Sequence, residues 1–148
     1  MLSLVQSRGY AGTGLNAVLE AAAVPKGSLY FHFPGGKEEL GVHAVGLAAE
    51  QYRAMIAAGI EAGVGAGSRP AEVVGAVLDL VADLVGGADF EMGCPVSVVT
   101  LEAGSRSERL RQACTSAYDS WIALVDEYLT GEGLPADEAA ALAETVVS

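Results

Sequence analysis

The sequence predicts an all-α fold, and three observations carry that reading. Apolar residues recur at intervals of three and four along most of the chain, the spacing of a helix face. Ala, Leu, Val and Glu are abundant, and nothing reads as a ladder of strands. Gly and Pro gather at Gly9–Gly14, Pro34–Gly36, Gly63–Pro70, Gly86–Gly87, Gly93–Pro95 and Gly131–Pro135, and so divide the chain into helical lengths. There is no internal repeat.

The first segment, residues 1–8, reads as the end of a helix. Residues 14–22 and 25–32 read as two short helices. Thr13 is placed to cap the first of them. Leu15, Val18, Leu19 and Ala22 then make one apolar face, with Asn16 and Glu20 pointing elsewhere. Pro25 cannot continue this helix but suits the first turn of the next. So tight a turn sets the two helices at a steep angle, the helix-turn-helix arrangement. Residues 37–62 form a long helix, 70–85 another and 94–103 a short one. Residues 107–130 form a second long helix, with Leu110, Cys114, Ala117, Tyr118, Trp121, Leu124, Val125 and Tyr128 along one stripe. A last helix begins near Ala136 and is still running at Ser148.

The second short helix has an unusual surface. Leu29 and Phe33 share its inner face, which leaves Lys26, Gly27, Ser28, Tyr30, Phe31 and His32 mostly outward. His32 can equally pack inward. Exposed aromatics beside a lysine and a hydroxyl suit a DNA-reading surface better than a solvated one. Ser28 can bond a base edge or a phosphate, Tyr30 can reach phosphate, and Gly27 lets the backbone approach closely. In such a geometry the N-terminal half of the second helix enters the major groove. Lys37 opens the long helix, where its charge and the free backbone N–H groups both favour a phosphate oxygen.

Composition bounds the rest. The chain has 148 residues, 51% of them hydrophobic and only 18% charged, which points to surface hidden in an oligomer or around a ligand. The net charge is −11. Residues 1–46 hold three basic and three acidic side chains, whereas residues 47–148 hold five basic and sixteen acidic ones. Contact with phosphate therefore falls to the first 46 residues. Cys94 and Cys114 form no disulfide framework and no zinc motif; both suit a core, Arg111 being the one basic residue a turn from Cys114. Cytoplasmic location is expected, with no secretory signal and no transmembrane span. No nucleophile–base pairing, metal cluster or phosphate-cradling glycine loop is visible, so neither enzyme activity nor a cofactor is expected. His43 reads as a surface residue.

The run GYAGTGLNAVLEAAAVPKGSLYFHFPGGKEEL, residues 9–40, resembles the DNA-binding domain of the tetracycline-repressor (TetR) family along its whole length. A weaker likeness runs through GCPVSVVTLEAG and the helix of Trp121. The resemblance implies a three-helix DNA-binding domain over residues 1–46 and a helical effector-binding and dimerisation domain over residues 47–148. It implies a homodimeric repressor, double-stranded DNA and a small hydrophobic effector as partners, and no membrane. It places Thr13, Asn16, Lys26, Gly27, Ser28, Tyr30, Phe31 and His32 at or near DNA and Lys37 on a phosphate. It also implies an apolar pocket between the central helices, for which Tyr52, Met55, Met92, Tyr118 and Trp121 are the candidate lining. Three departures stand out. Only the tail of the family's first helix is matched, by Met1–Arg8, and the last helix stops after thirteen residues. Ala23 replaces a glycine often found in the turn, which is a mild strain if that residue needs a positive φ. The alternative reading is a helical interaction module without DNA binding, which would have no need of the surface Lys26–His32.

Overall fold

The computed structural model describes residues 1–87 and 93–147. Its elements are α1 (Leu2–Gly12), α2 (Leu15–Ala22), α3 (Lys26–His32), α4 (Gly36–Gly65), α5 (Pro70–Gly86), α6 (Pro95–Ala103), α7 (Glu108–Gly131) and α8 (Ala136–Val147). No strand occurs among the described residues. The all-α expectation holds, with most boundaries within three residues of those read from the sequence.

Two long helices form the frame. α7 buries Leu110, Cys114, Ala117, Trp121, Val125 and Leu129, in steps of three and four. α4 lies along it and buries Gly41, Val45, Ala48 and Ile56. Trp121 fixes the pair by more than area, since its indole N–H donates to the Ala49 carbonyl at 3.0 Å. α8 packs on the far end of α7 through Ala139 and Ala143, both fully buried. Their small side chains let the two backbones approach closely. α5 lies against α4, and α6 packs on α7 and α1.

Local chemistry explains the starts of these helices. Ser107 caps α7 by accepting from the Leu110 amide at 3.2 Å. Pro70 opens α5, and the Glu72 carboxylate folds back to accept from the Arg69 amide at 2.9 Å. Pro95 opens α6 after Cys94.

The N-terminal region departs from the sequence reading. α1 does not stop at the Gly9 break. It kinks there, with Gly9 at φ 77° and ψ 165°, and continues to Gly12. A Cβ at Gly9 would collide with the Glu102 carboxylate of α6. Thr13 does not cap α2; Gly14 holds that position without a side-chain bond. The Thr13 hydroxyl instead donates back to the Gly9 carbonyl at 2.7 Å, and the residue is 1% exposed. Pro25 stands just before α3 rather than within its first turn. Ala23 has φ 53° and ψ 39°, the left-handed conformation that its glycine-like position anticipated.

Candidate functional site

α2 and α3 meet through Val18, Leu19 and Leu29, which are buried, and Phe33, which is half-buried. That packing turns one sector of α3 outward. Lys26, Gly27, Tyr30 and Phe31 lie there, Tyr30 48% and Phe31 82% exposed. Ser28 and His32 sit on the flank and line the groove between α2 and α3 with Leu29 and Phe33. Ser28 is half-buried, so it is less outward than expected, whereas His32 stays open to solvent. Asn16 is exposed on α2. Thr13 must be corrected: buried and bonded to Gly9, its side chain has no path to DNA in this conformation. Exposed His43 meets the Phe33 ring edge-on at 5.3 Å.

Lys37 is half-buried at the first turn of α4 and already has partners. Its Nζ donates to the Ala11 carbonyl at 3.3 Å and lies 4.6 Å from the centre of the Tyr10 ring. The Tyr10 hydroxyl in turn donates to the Lys37 carbonyl at 3.4 Å. Burial, with repulsion from Glu38 added, holds the Tyr10 phenol above its ordinary pKa. The bond to Ala11 uses one of the three N–H donors of the ammonium.

A polar seam ties this region to the helices beyond it. Glu102, near the end of α6, accepts from the Ala11 amide at 2.7 Å, just past the α1 kink. Glu38 on α4 accepts from the Ser107 hydroxyl at 2.5 Å and pairs with Arg109 at 3.4 Å. Nothing in the local sequence marks these partners, since each pair is at least 69 residues apart.

A second feature is a cavity of about 140 Å³ between α4, α5, α6, α7 and α8. Tyr52 stacks on Trp121 with ring centres 5.5 Å apart, and Tyr118 meets Trp121 edge-on at 5.4 Å. Ile56 and Val77 supply apolar wall, while Cys94 and Ser97 enter from α6. The Ser97 and Tyr118 hydroxyls are 2.9 Å apart and share a hydrogen bond. Burial first, and then the Cys94 thiol beside it, push the Tyr52 phenol up to about 12. Tyr52, Tyr118 and Trp121 therefore line one cavity. Met55 does not: it is half-buried on α4, and its neighbour Ile56 takes the wall. Met92 lies outside the described residues. Cys114 is a core residue, its thiol held above its usual pKa by burial. Cys94 and Ser97 were missed as lining; Cys94 read as core, and neither carried a distinguishing signal.

A larger apolar groove of about 500 Å³ runs along α5, α7 and α8 past Val74, Leu129, Leu134 and Leu142. It lacks the aromatic walls and the paired hydroxyls of the smaller cavity.

An all-helical chain that turns the outer face of a short second helix to solvent, beside a bundle with an internal cavity, has the architecture of a helix-turn-helix DNA-binding regulator. The comparisons agree. The family described as "Bacterial regulatory proteins, tetR family" matches residues 2–44, and "Transcriptional regulator LmrA/YxaF-like, C-terminal domain" matches residues 70–148. The HTH-type transcriptional regulator LmrA of Bacillus subtilis is 41% identical over 146 residues, 98% of this chain and 74% of the relative. The uncharacterized HTH-type transcriptional regulator YxaF of the same organism is 32% identical over 136 residues, 92% of this chain and 69% of the relative. A solved TetR regulator from Rhodobacter sphaeroides superposes with a TM-score of 0.80 at 23% identity, covering 97% of this chain and 77% of that one. At that identity the match speaks for the fold alone. The chain belongs to the TetR family of transcriptional regulators, with a helix-turn-helix DNA-binding segment. By family it is a regulator and not an enzyme. Among the described residues no helix is long and apolar enough to cross a membrane.

Proposed function

We propose that the chain is a ligand-responsive transcriptional repressor that acts in the cytoplasm as a homodimer. Residues 1–46 read DNA, and residues 47–148 bind effector and partner. Two copies of α3 enter successive major grooves of a near-palindromic operator, about 34–36 Å apart. A small hydrophobic effector enters the cavity of Tyr52, Tyr118 and Trp121 and favours a conformation with the wrong spacing. The observation that carries this reading is that α6 serves both sites. Cys94 and Ser97 line the cavity at its start, and Glu102 near its end grips the kinked α1. The Ala11 carbonyl then touches Lys37 at the foot of α4. An effector that shifts α6 thus moves the support of the DNA-reading helices. The coupling is at most the effector's preference between the two states, typically about 1–3 kcal/mol. The apolar groove on α8, with Leu142 46% exposed, supports a second copy docking there. Family membership favours this reading over an interaction module without DNA binding.

The test pairs two assays. Fluorescence anisotropy compares DNA from upstream of the gene with random duplex at several salt concentrations. Quenching of Trp121, the one tryptophan, reports entry of a neutral apolar dye into the cavity. Tyr30→Ala and Lys37→Ala are expected to weaken operator binding and leave dye binding intact. Equal loss of both activities refutes the assignment.

A further inference from the structure

The outer sector of α3 specifies how it reads a base, provided that α3 is the element in the groove. Lys26, Gly27, Tyr30 and Phe31 occupy that sector at spacings of three and four, and all are exposed. The chemistry missing from the sector decides the matter. Lys26 is its one group that can pair with guanine, and the sector holds no guanidinium, carboxamide or carboxylate to read guanine, adenine or cytosine otherwise. Where such a group would stand is the Phe31 ring, 82% exposed. The ring sits edge-on to the His32 imidazole at 5.0 Å. Gly27, one turn earlier on the same sector, adds no side chain that would shield the phenyl group, and a Cβ there would meet nothing within 4 Å. Docked in the major groove, Phe31 faces donors and acceptors that it cannot satisfy, except at one base. Thymine carries the only apolar group on the groove floor, its 5-methyl.

We infer that Phe31 is a specificity-determining residue that packs on a thymine 5-methyl in each half-site. The operator is then selected at that position by a methyl contact rather than by a hydrogen-bond pattern. Lys26 and Tyr30, on either side, supply charge and a hydroxyl for the backbone or an adjacent base.

The test begins with selection of binding sites from random duplex DNA by the purified chain. Each thymine of the selected consensus is then replaced by deoxyuridine, which removes the methyl and keeps every hydrogen-bonding group. One position per half-site is expected to lose about fourfold in affinity on replacement, the weight of one buried methyl-sized group. Phe31→Ala should abolish that uracil penalty, so that it binds the thymine and the uracil operator with equal affinity. Phe31→Leu should retain part of it, and helical circular dichroism would verify that both variants fold. A consensus that tolerates uracil everywhere overturns this inference and leaves the DNA-reading function standing, as does a penalty that survives in Phe31→Ala. Selection that yields no consensus overturns both.

Discussion

Ala23→Gly should stabilise this protein, and the structure gives the size of the gain. Three helix ends share one hydrogen-bond pattern. At the end of α2 the Ala23 amide donates to the Glu20 carbonyl at 3.1 Å and the Val24 amide to that of Leu19 at 3.2 Å. Gly67 and Ser68 repeat the pattern after α4, and Gly133 and Leu134 after α7. It is the Schellman arrangement, which needs a left-handed residue at its corner. Gly67 and Gly133 supply it at φ 70° and 94°, but after α2 the corner residue is alanine at φ 53°. A Cβ there costs roughly 1–2 kcal/mol in the folded state. Glycine returns about 0.4–1 kcal/mol of that through a more disordered unfolded chain. Ala23 is exposed, so removing its methyl sacrifices no core packing. The net gain is about 0.5–1 kcal/mol, or roughly 2–3 °C in Tm for a chain of this size. Urea and thermal unfolding followed by circular dichroism would read it, with unchanged urea slope as the check that only stability moved. A loss of stability, or an equal gain on Ala23→Val, would refute the claim that left-handed strain is stored at this turn.

Four further outcomes are expected. Gly9→Ala should destabilise by about 2 kcal/mol or more, because its φ of 77° and ψ of 165° suit glycine alone and the new Cβ would meet Glu102; denaturant midpoints would show it. Glu102→Ala should speed amide exchange at Tyr10–Gly12 with little change in global stability, since the bond it removes holds one exposed backbone amide. Lys26→Ala should lessen the slope of log affinity against log salt by about 0.9, the share of one neutralised phosphate, which a salt titration of operator binding measures. Tyr52 keeps its proton to about pH 12 when folded but loses it near 10 when unfolded. Between those limits the folded state binds more protons than the unfolded one. Stability should therefore be intact below about pH 10 and fall as pH rises toward 12, and Tyr52→Phe should flatten that fall in a pH series of urea midpoints.

The helices were legible because their signals are local. Leu15, Val18 and Leu19 mark the buried side of α2, and Pro25 marks the break that follows it. The same logic misplaced Thr13. Threonine before an apolar face is a capping signal, but its hydroxyl found the Gly9 carbonyl, exposed by a kink. A carboxylate from α6, 91 residues further on, holds the Ala11 amide just past that kink. Met55 misleads for a different reason. Its thioether recommends it, whereas the cavity wall is set by angle. Val45, Ala48, Tyr52 and Ile56 advance in steps of three and four toward α7, and Met55 lies about 100° around the helix from Ile56.

Under the proposed function, the part least legible in sequence, the polar seam, is the part that regulation would use. Periodicity reports which side of a helix is buried, and the core it built here joins Val5 of α1 to Val96 and Val99 of α6 without a break. Close packing of that kind transmits force but does not choose between two arrangements. Under the proposal that choice would fall to bonds that can be exchanged: Glu102 to Ala11, Glu38 to Ser107, Lys37 to Ala11. Glu102 is exposed, Glu38 and Lys37 are half-buried, and surface contacts of this sort are worth about 1 kcal/mol or less each. A set of such bonds is comparable in strength to an ordinary allosteric coupling, so an effector or an operator phosphate could replace them without unfolding the protein. A seam built from stronger, buried ion pairs would hold the DNA-reading helices more firmly and regulate them less.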